Sequence, residues 1–132
     1  MRFSSSVAIL TSVFLFSTPQ AYGDDANDGR NLFLKRCLGC HAFACNKQGP
    51  RLAGLVGRTV GSIKDYAHYS EGLKDASFVW TETKLDTFFA DPGKLFPKSV
   101  MALNGKIEDP AQRRQIITFL KTEDPTINIC PQ

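Results

Sequence analysis

Alternating apolar and polar residues are missing from this chain of 132 residues, so a half-buried β-sheet has no support in the sequence. Internal repeats are missing, which excludes a repeat array. Long runs of like charge are missing too. The 16 basic and 13 acidic residues leave a formal charge of +3. That balance lacks the strongly basic face that nucleic-acid binding requires, and it permits only modest steering towards an acidic partner surface. Methionine and histidine are scarce, with two of each. Four cysteines remain, and they hold most of the information.

A strongly apolar stretch occurs only at the start, "MRFSSSVAILTSVFLFSTPQAYG" (residues 1–23). Arg2 is its single charge. The stretch runs from Val7 to Phe16, interrupted by Thr11 and Ser12, before Pro19 and the small residues around Ala21 and Gly23. This is the layout of a secretory signal peptide. It is too short to span a bilayer, which needs about 20 apolar residues, so stable membrane insertion of the mature chain is not expected. Cleavage is expected after Gly23, leaving Asp24–Gln132 as one domain of 109 residues. Without Arg2 its balance is 15 basic to 13 acidic residues, a formal +2. Export places the cysteines where disulfides persist.

Three segments read as helical. Residues Asp28 to Cys40 carry Leu32, Phe33, Arg36 and Cys37 at helical spacing. Thr81 is an N-cap candidate ahead of the stripe Leu85, Phe88, Phe89, with Pro92 and Gly93 as the stop. Asp109 and Pro110 form a cap and first-turn pair before Ile116, Ile117, Phe119 and Leu120, and Pro125 ends that segment. Tyr69 to Ala76 allow one or two helical turns. Residues 46–64 and 94–106 read as loops because glycine and proline punctuate them. The expectation is a small all-α domain with long loops. Its many phenylalanines, from Phe33 to Phe119, suit either ordinary packing or a flat apolar cofactor.

The segment "RCLGCHAFAC" (residues 36–45) concentrates three cysteines and one histidine. Structural zinc usually uses two separated ligand pairs that close a loop between them. Here the ligands are crowded, and Cys40 and His41 diverge as neighbours on a helix. A thioredoxin-like dithiol needs a βαβ setting, which the chain does not offer. Cys37-x-x-Cys40-His41 matches the attachment signature of c-type haem. Two thiols on one side of a short turn reach two vinyl-derived carbons at a porphyrin edge, and the adjacent imidazole comes under the iron. The sixth ligand stays open between two candidates. Met101 is the only thioether outside the leader and lies in the bounded loop "FPKSVMALNG"; its plain alternative is a gap filler in the core. His68, in the polar stretch "DYAHYSEG", is the competing ligand.

With these motifs the chain resembles the class I c-type cytochromes, the mitochondrial and bacterial periplasmic monohaem proteins, over essentially all of its mature length. Gly29 and Phe33 precede the haem motif at the family's helix-contact positions, and "QGPRLAGLVGR" resembles the loop that follows it. The resemblance implies a small cytochrome c fold, with N- and C-terminal helices crossing and one covalent haem c wrapped by long loops. It implies His41 and Met101 as axial ligands and the Pro50 carbonyl as acceptor of the His41 ring N–H, which would set the ligand's tautomer. By the same resemblance Arg58, Tyr69 and Trp80 partner the haem propionates, Ser99 lies near the methionine sulfur, and Phe88 and Leu103 line the pocket. Arg113 and Phe119 fall in the C-terminal helix. The chain departs from the family pattern at Phe88, where tyrosine is common, at Leu103, where an aromatic is usual, and in a shorter loop after His41.

With Cys37 and Cys40 taken by haem, Cys45 and Cys130 form the remaining even pair. A disulfide between them is expected, with two free thiols or an intermolecular bridge as alternatives. The functional expectation is a soluble, periplasmic carrier of single electrons. Its redox partners would dock at an exposed haem edge rimmed by Arg36, Lys94, Lys98 and Lys106. The rival is a haem enzyme or gas sensor whose sixth ligand is absent or displaceable.

Overall fold

A computed structural model describes residues 21–127 and 130; residues 1–20, most of the expected leader, lie outside the described residues. The helices are α1 (Ala21–Arg36), α2 (Glu71–Asp75), α3 (Glu82–Ala90), α4 (Pro92–Leu95), α5 (Met101–Asn104) and α6 (Pro110–Leu120), followed by a 3₁₀ turn at Pro125–Ile127. Among the described residues no β-strand forms; Thr59 and Val79 make one isolated antiparallel bridge.

The crossing of α1 and α6 organises the domain. A Cβ on Gly29 would lie 2.0 Å from the Gln115 carbonyl oxygen and 2.7 Å from the Phe119 Cβ, so only glycine lets these backbones approach. One turn on, Phe33 packs against Phe43 and Phe119 with ring centroids 5.4 and 5.5 Å away. All three rings are buried, and clusters of this kind anchor a small core. At the outer ends, Arg114 Nε pairs with Asp25 at 3.0 Å and Gln115 Nε2 donates to Asp28 at 3.1 Å.

Those polar contacts explain why α1 begins earlier than its apolar spacing indicates. It starts at Ala21, runs through the expected cleavage point after Gly23, and closes at Arg36 instead of reaching Cys40. The two caps follow local chemistry. Thr81 accepts a hydrogen bond from the Lys84 N–H, and Asp109 accepts one from the Ala111 N–H with Pro110 in the first turn.

The segment 94–106, expected as loop, contains α4's end and α5. Its punctuation restarts helix as well as stopping it. Asp91 caps the Lys94 N–H while Pro92 occupies the first turn of α4. Arg113 then ties α6 back to its surroundings. Its guanidinium donates to Asp86 on α3 at 2.7 Å and to the carbonyls of Ile107 and Glu108.

Candidate cofactor site

The chain leaving α1 makes one further turn. The Cys37 N–H donates to the Phe33 carbonyl and the His41 N–H to the Cys37 carbonyl, both at 2.8 Å. This turn carries Cys37, half-buried, and Cys40, exposed, and delivers His41 into the interior. Burial pushes the Cys37 thiol up to about 11. Cys40 Sγ donates to Gln48 Oε1 at 3.2 Å.

The His41 ring is held on two sides. Its Nδ1 lies 2.9 Å from the Pro50 carbonyl oxygen. A carbonyl only accepts, so Nδ1 carries the hydrogen, and in the neutral ring the Nε2 lone pair is left free. Burial holds the imidazole pKa below its ordinary value, more than the Pro50 contact raises it, which favours that neutral ring. Gly49 closes the other side: a Cβ there would sit 2.1 Å from His41 Cε1.

Two adjoining cavities, of about 100 and 320 Å³, share Cys37, His41, Pro50, Tyr69, Phe89 and Met101 as walls. The inner one is bounded by apolar rings with Arg58 and Trp80 at its margin, and the outer one reaches Cys40, Ser99 and His68. Arg58 donates to the carbonyls of Ala53 at 2.8 Å and Arg51 at 3.0 Å, and burial lowers its pKa. The Tyr69 hydroxyl accepts from the Ile63 N–H at 3.4 Å, and burial raises its pKa. The backbone of Trp80 is locked by exchange with Gly57 and Arg58.

Met101 opens α5 half-buried, and its N–H donates to the hydroxyl of buried Ser99 at 3.2 Å. Leu103, expected to line the pocket, is 84% exposed and forms no part of either cavity wall. The reason is rotation. Two positions along a helix turn a side chain by about 200°, so a Met101 facing the cavity sends Leu103 to solvent.

Ser70, which carries no motif in the sequence, adds a polar element. Its Oγ is buried, has no hydrogen-bond partner among the described residues, and belongs to a residue of the outer cavity wall. The one sequence cue is a hydroxyl directly after Tyr69. Away from the cavities, the Cys45 and Cys130 sulfurs lie 2.05 Å apart.

These residues fit a flat, largely apolar group. Cys37 and Cys40 border the outer cavity, His41 and Met101 share the walls of both, and the buried Ser70 hydroxyl of the outer wall has no partner among the described residues. Fold and site together define a small all-α protein built to hold a haem-like cofactor covalently.

Comparisons with known proteins narrow this class. No family model matches the chain. It is 38% identical over 102 residues to cytochrome c of Arabidopsis thaliana, covering 75% of this chain and 89% of that one. It is 42% identical over 93 residues to cytochrome c2 of Agrobacterium tumefaciens, covering 66% and 82%. Cytochrome cH from Methylobacterium extorquens superposes with a TM-score of 0.68 at 37% identity, over 74% of this chain and 98% of that one. The chain belongs to the cytochrome c family. Proteins of this family are electron carriers, not enzymes, and carry one covalent c-type haem.

Proposed function

We propose that the mature chain, residues 24–132, is a soluble periplasmic carrier of single electrons with His41 and Met101 as the axial ligands of its haem. The observation that carries this reading is the placing of His41 and Met101 on the walls of one cavity, with His41 Nδ1 engaged by Pro50 and Nε2 left free.

When bound, the haem supplies an iron that gains and loses one electron. The protein's part is to keep its own groups still while that happens. Cys37 and Cys40 would tether the group through thioether bonds. Pro50 and Gly49 fix the imidazole plane and tautomer, so the ligand needs no reorientation between redox states. His41 and Met101 would both ligate the iron, and a His/Met pair favours electron transfer over small-molecule binding. The apolar inner wall excludes water. Arg58, Tyr69 and Trp80 would partner the cofactor's carboxylates, whose burial is costly without partners, and the Ser70 hydroxyl on the outer cavity wall would offer a further hydrogen bond. Ser99 holds the Met101 backbone. Arg36, Lys94, Lys98 and Lys106 steer redox partners to the exposed edge.

An optical spectrum of the exported protein tests the ligand pair. A low-spin ferric spectrum with the weak far-red band of iron–methionine ligation is expected, together with no carbon monoxide binding by the native reduced form. Met101→Ala should abolish the band and admit carbon monoxide. A high-spin wild-type spectrum would replace this reading with the sensor or enzyme alternative. Mass spectrometry of the exported chain beginning at Asp24 would support the boundary, and a chain retaining residues 1–23 would refute it.

A further inference from the structure

The Arg58 guanidinium is held by two backbone carbonyls, Ala53 at 2.8 Å and Arg51 at 3.0 Å. Arg51, which supplies the second of these, is itself pinned twice. Its N–H donates to Asn46 Oδ1 at 2.9 Å, and its Nη1 lies 2.7 and 2.6 Å from the two Asp65 carboxylate oxygens. Asn46 closes the triangle, donating from Nδ2 to the Asp65 carbonyl at 3.1 Å. These three residues tie the loop that carries Pro50 to the loop that carries Tyr69 and Ser70. The clasp adds little stability, because the Asp65 side chain is 64% exposed and ion pairs at such exposure are weak. Its place beside Arg58 gives it a different effect. Burial is the first cause of the lowered Arg58 pKa; Tyr69 opposes it, and repulsion from the Arg51 charge adds to it. Two cations thus stand close enough to repel, and Asp65 draws the Arg51 charge onto itself.

We propose that Asn46, Arg51 and Asp65 are positioning residues for the reduction potential: their clasp steadies the Arg51 carbonyl, and that carbonyl holds Arg58 towards the cofactor's carboxylates. The proposal rests on the reading of Arg58 as a carboxylate partner. With the clasp closed, Arg58 offsets negative charge that otherwise favours the oxidised state. With the clasp open, the Arg51 carbonyl turns, the guanidinium drifts, the carboxylates lose that compensation, and the potential falls.

The test is a redox titration of the exported, haem-bearing protein and of its Asn46→Ala, Arg51→Gln, Asp65→Asn and Arg58→Gln variants. Charges acting only through space give three different results. Arg51→Gln removes a positive charge and lowers the potential, Asp65→Asn removes a negative one and raises it, and the neutral change Asn46→Ala leaves it alone. A clasp makes all three fall together, because each substitution opens the same triangle. In an Arg58→Gln background, Asn46→Ala should then cause no further shift. A rise in Asp65→Asn, a wild-type potential in Asn46→Ala, or an Asn46→Ala shift that persists without Arg58 overturns the proposal. Asp65→Asn alters a mostly exposed side chain, so the fold tolerates it, and the sign of its shift carries the test even where Asn46→Ala loads haem poorly. An Arg58→Gln variant with the wild-type potential would instead refute the carboxylate-partner reading, and the positioning role with it.

Discussion

His41 Nδ1 donates to the Pro50 carbonyl oxygen at 2.9 Å, across a loop whose Gly49 lies flat against the same ring. A ten-residue segment, 41–50, thus closes on its own first side chain, and the Gly49 N–H bond to the Cys40 carbonyl at 2.8 Å seals it. The setting of the His41 ring is therefore a local device, built almost entirely from residues 40–50.

That closeness makes Gly49 intolerant of a single methyl group. Gly49→Ala places a Cβ 2.1 Å from His41 Cε1, and the ring or the loop must move. Overpacking of this kind costs about 1–3 kcal/mol. Denaturant unfolding should show that loss, and the low-spin spectrum should weaken with it. A variant with wild-type stability and spectrum would mean the ring is not confined as described.

Arg113 is the hinge pin between α3, α6 and the segment before α6. Its side chain is only 12% exposed and it satisfies Asp86, Ile107 and Glu108 together. Arg113→Ala strands two carbonyls and a half-exposed carboxylate, for an expected loss of about 1–3 kcal/mol by chemical denaturation. Arg113→Lys should recover only part of it, because an ammonium lacks the planar fork.

The tail carries an acid-sensitive fastening. The Asp124 carboxyl is held below the usual carboxylate range, first by the Thr126 hydroxyl, then by the Thr126 N–H, and then by Arg30. The unfolded chain, with that carboxyl near its usual value of 3.8, binds more protons than the folded chain just below that pH. Stability from this group is complete above its unfolded value and is lost as pH falls through the folded one. Thermal midpoints measured on acidification should fall less steeply for Asp124→Asn than for the wild type. Superimposable profiles would remove Asp124 from the account.

Charge on the proposed docking edge is unevenly distributed. Lys106 Nζ pairs with Glu108 at 3.2 Å, and the Lys106 carbonyl accepts from Arg36 at 2.6 Å. Lys98 is exposed and forms no ion pair among the described residues. Lys98→Glu should slow association with a redox partner at low salt and flatten its salt dependence, with a smaller effect from Lys106→Glu. Rate constants unchanged by Lys98→Glu would take it out of the docking patch.

Much of the fold was legible in local chemistry. The N-caps at Thr81 and Asp109 and the Pro110 first turn depend on residues two or three positions apart, so the sequence carries them openly. The pattern Cys37-x-x-Cys40-His41 is of the same kind, since one turn of chain holds all three. Helix α1 shows where such reading stops. Its apolar spacing begins near Asp28, but Asp25 and Asp28 bond to Arg114 and Gln115 on α6, and helix extends to Ala21. Segment 94–106 shows the ambiguity of punctuation, because the Asp91–Pro92 pair that ends one helix caps the next.

The sequence by itself determined the Cys37-x-x-Cys40-His41 pattern, the scarcity that left Met101 and His68 as rivals for a sixth position, the even cysteine count, and the all-α class. Each depends on residue identity or short spacing. Only the tertiary structure decided that Leu103 faces solvent and that Ser70 is the orphaned hydroxyl on the cavity wall, and it chose the expected Cys45–Cys130 bridge over two free thiols. The physical reason is direction. A side chain's heading is set by how its helix or loop is rotated against distant partners, and a single turn such as α5 has no periodicity long enough to announce it.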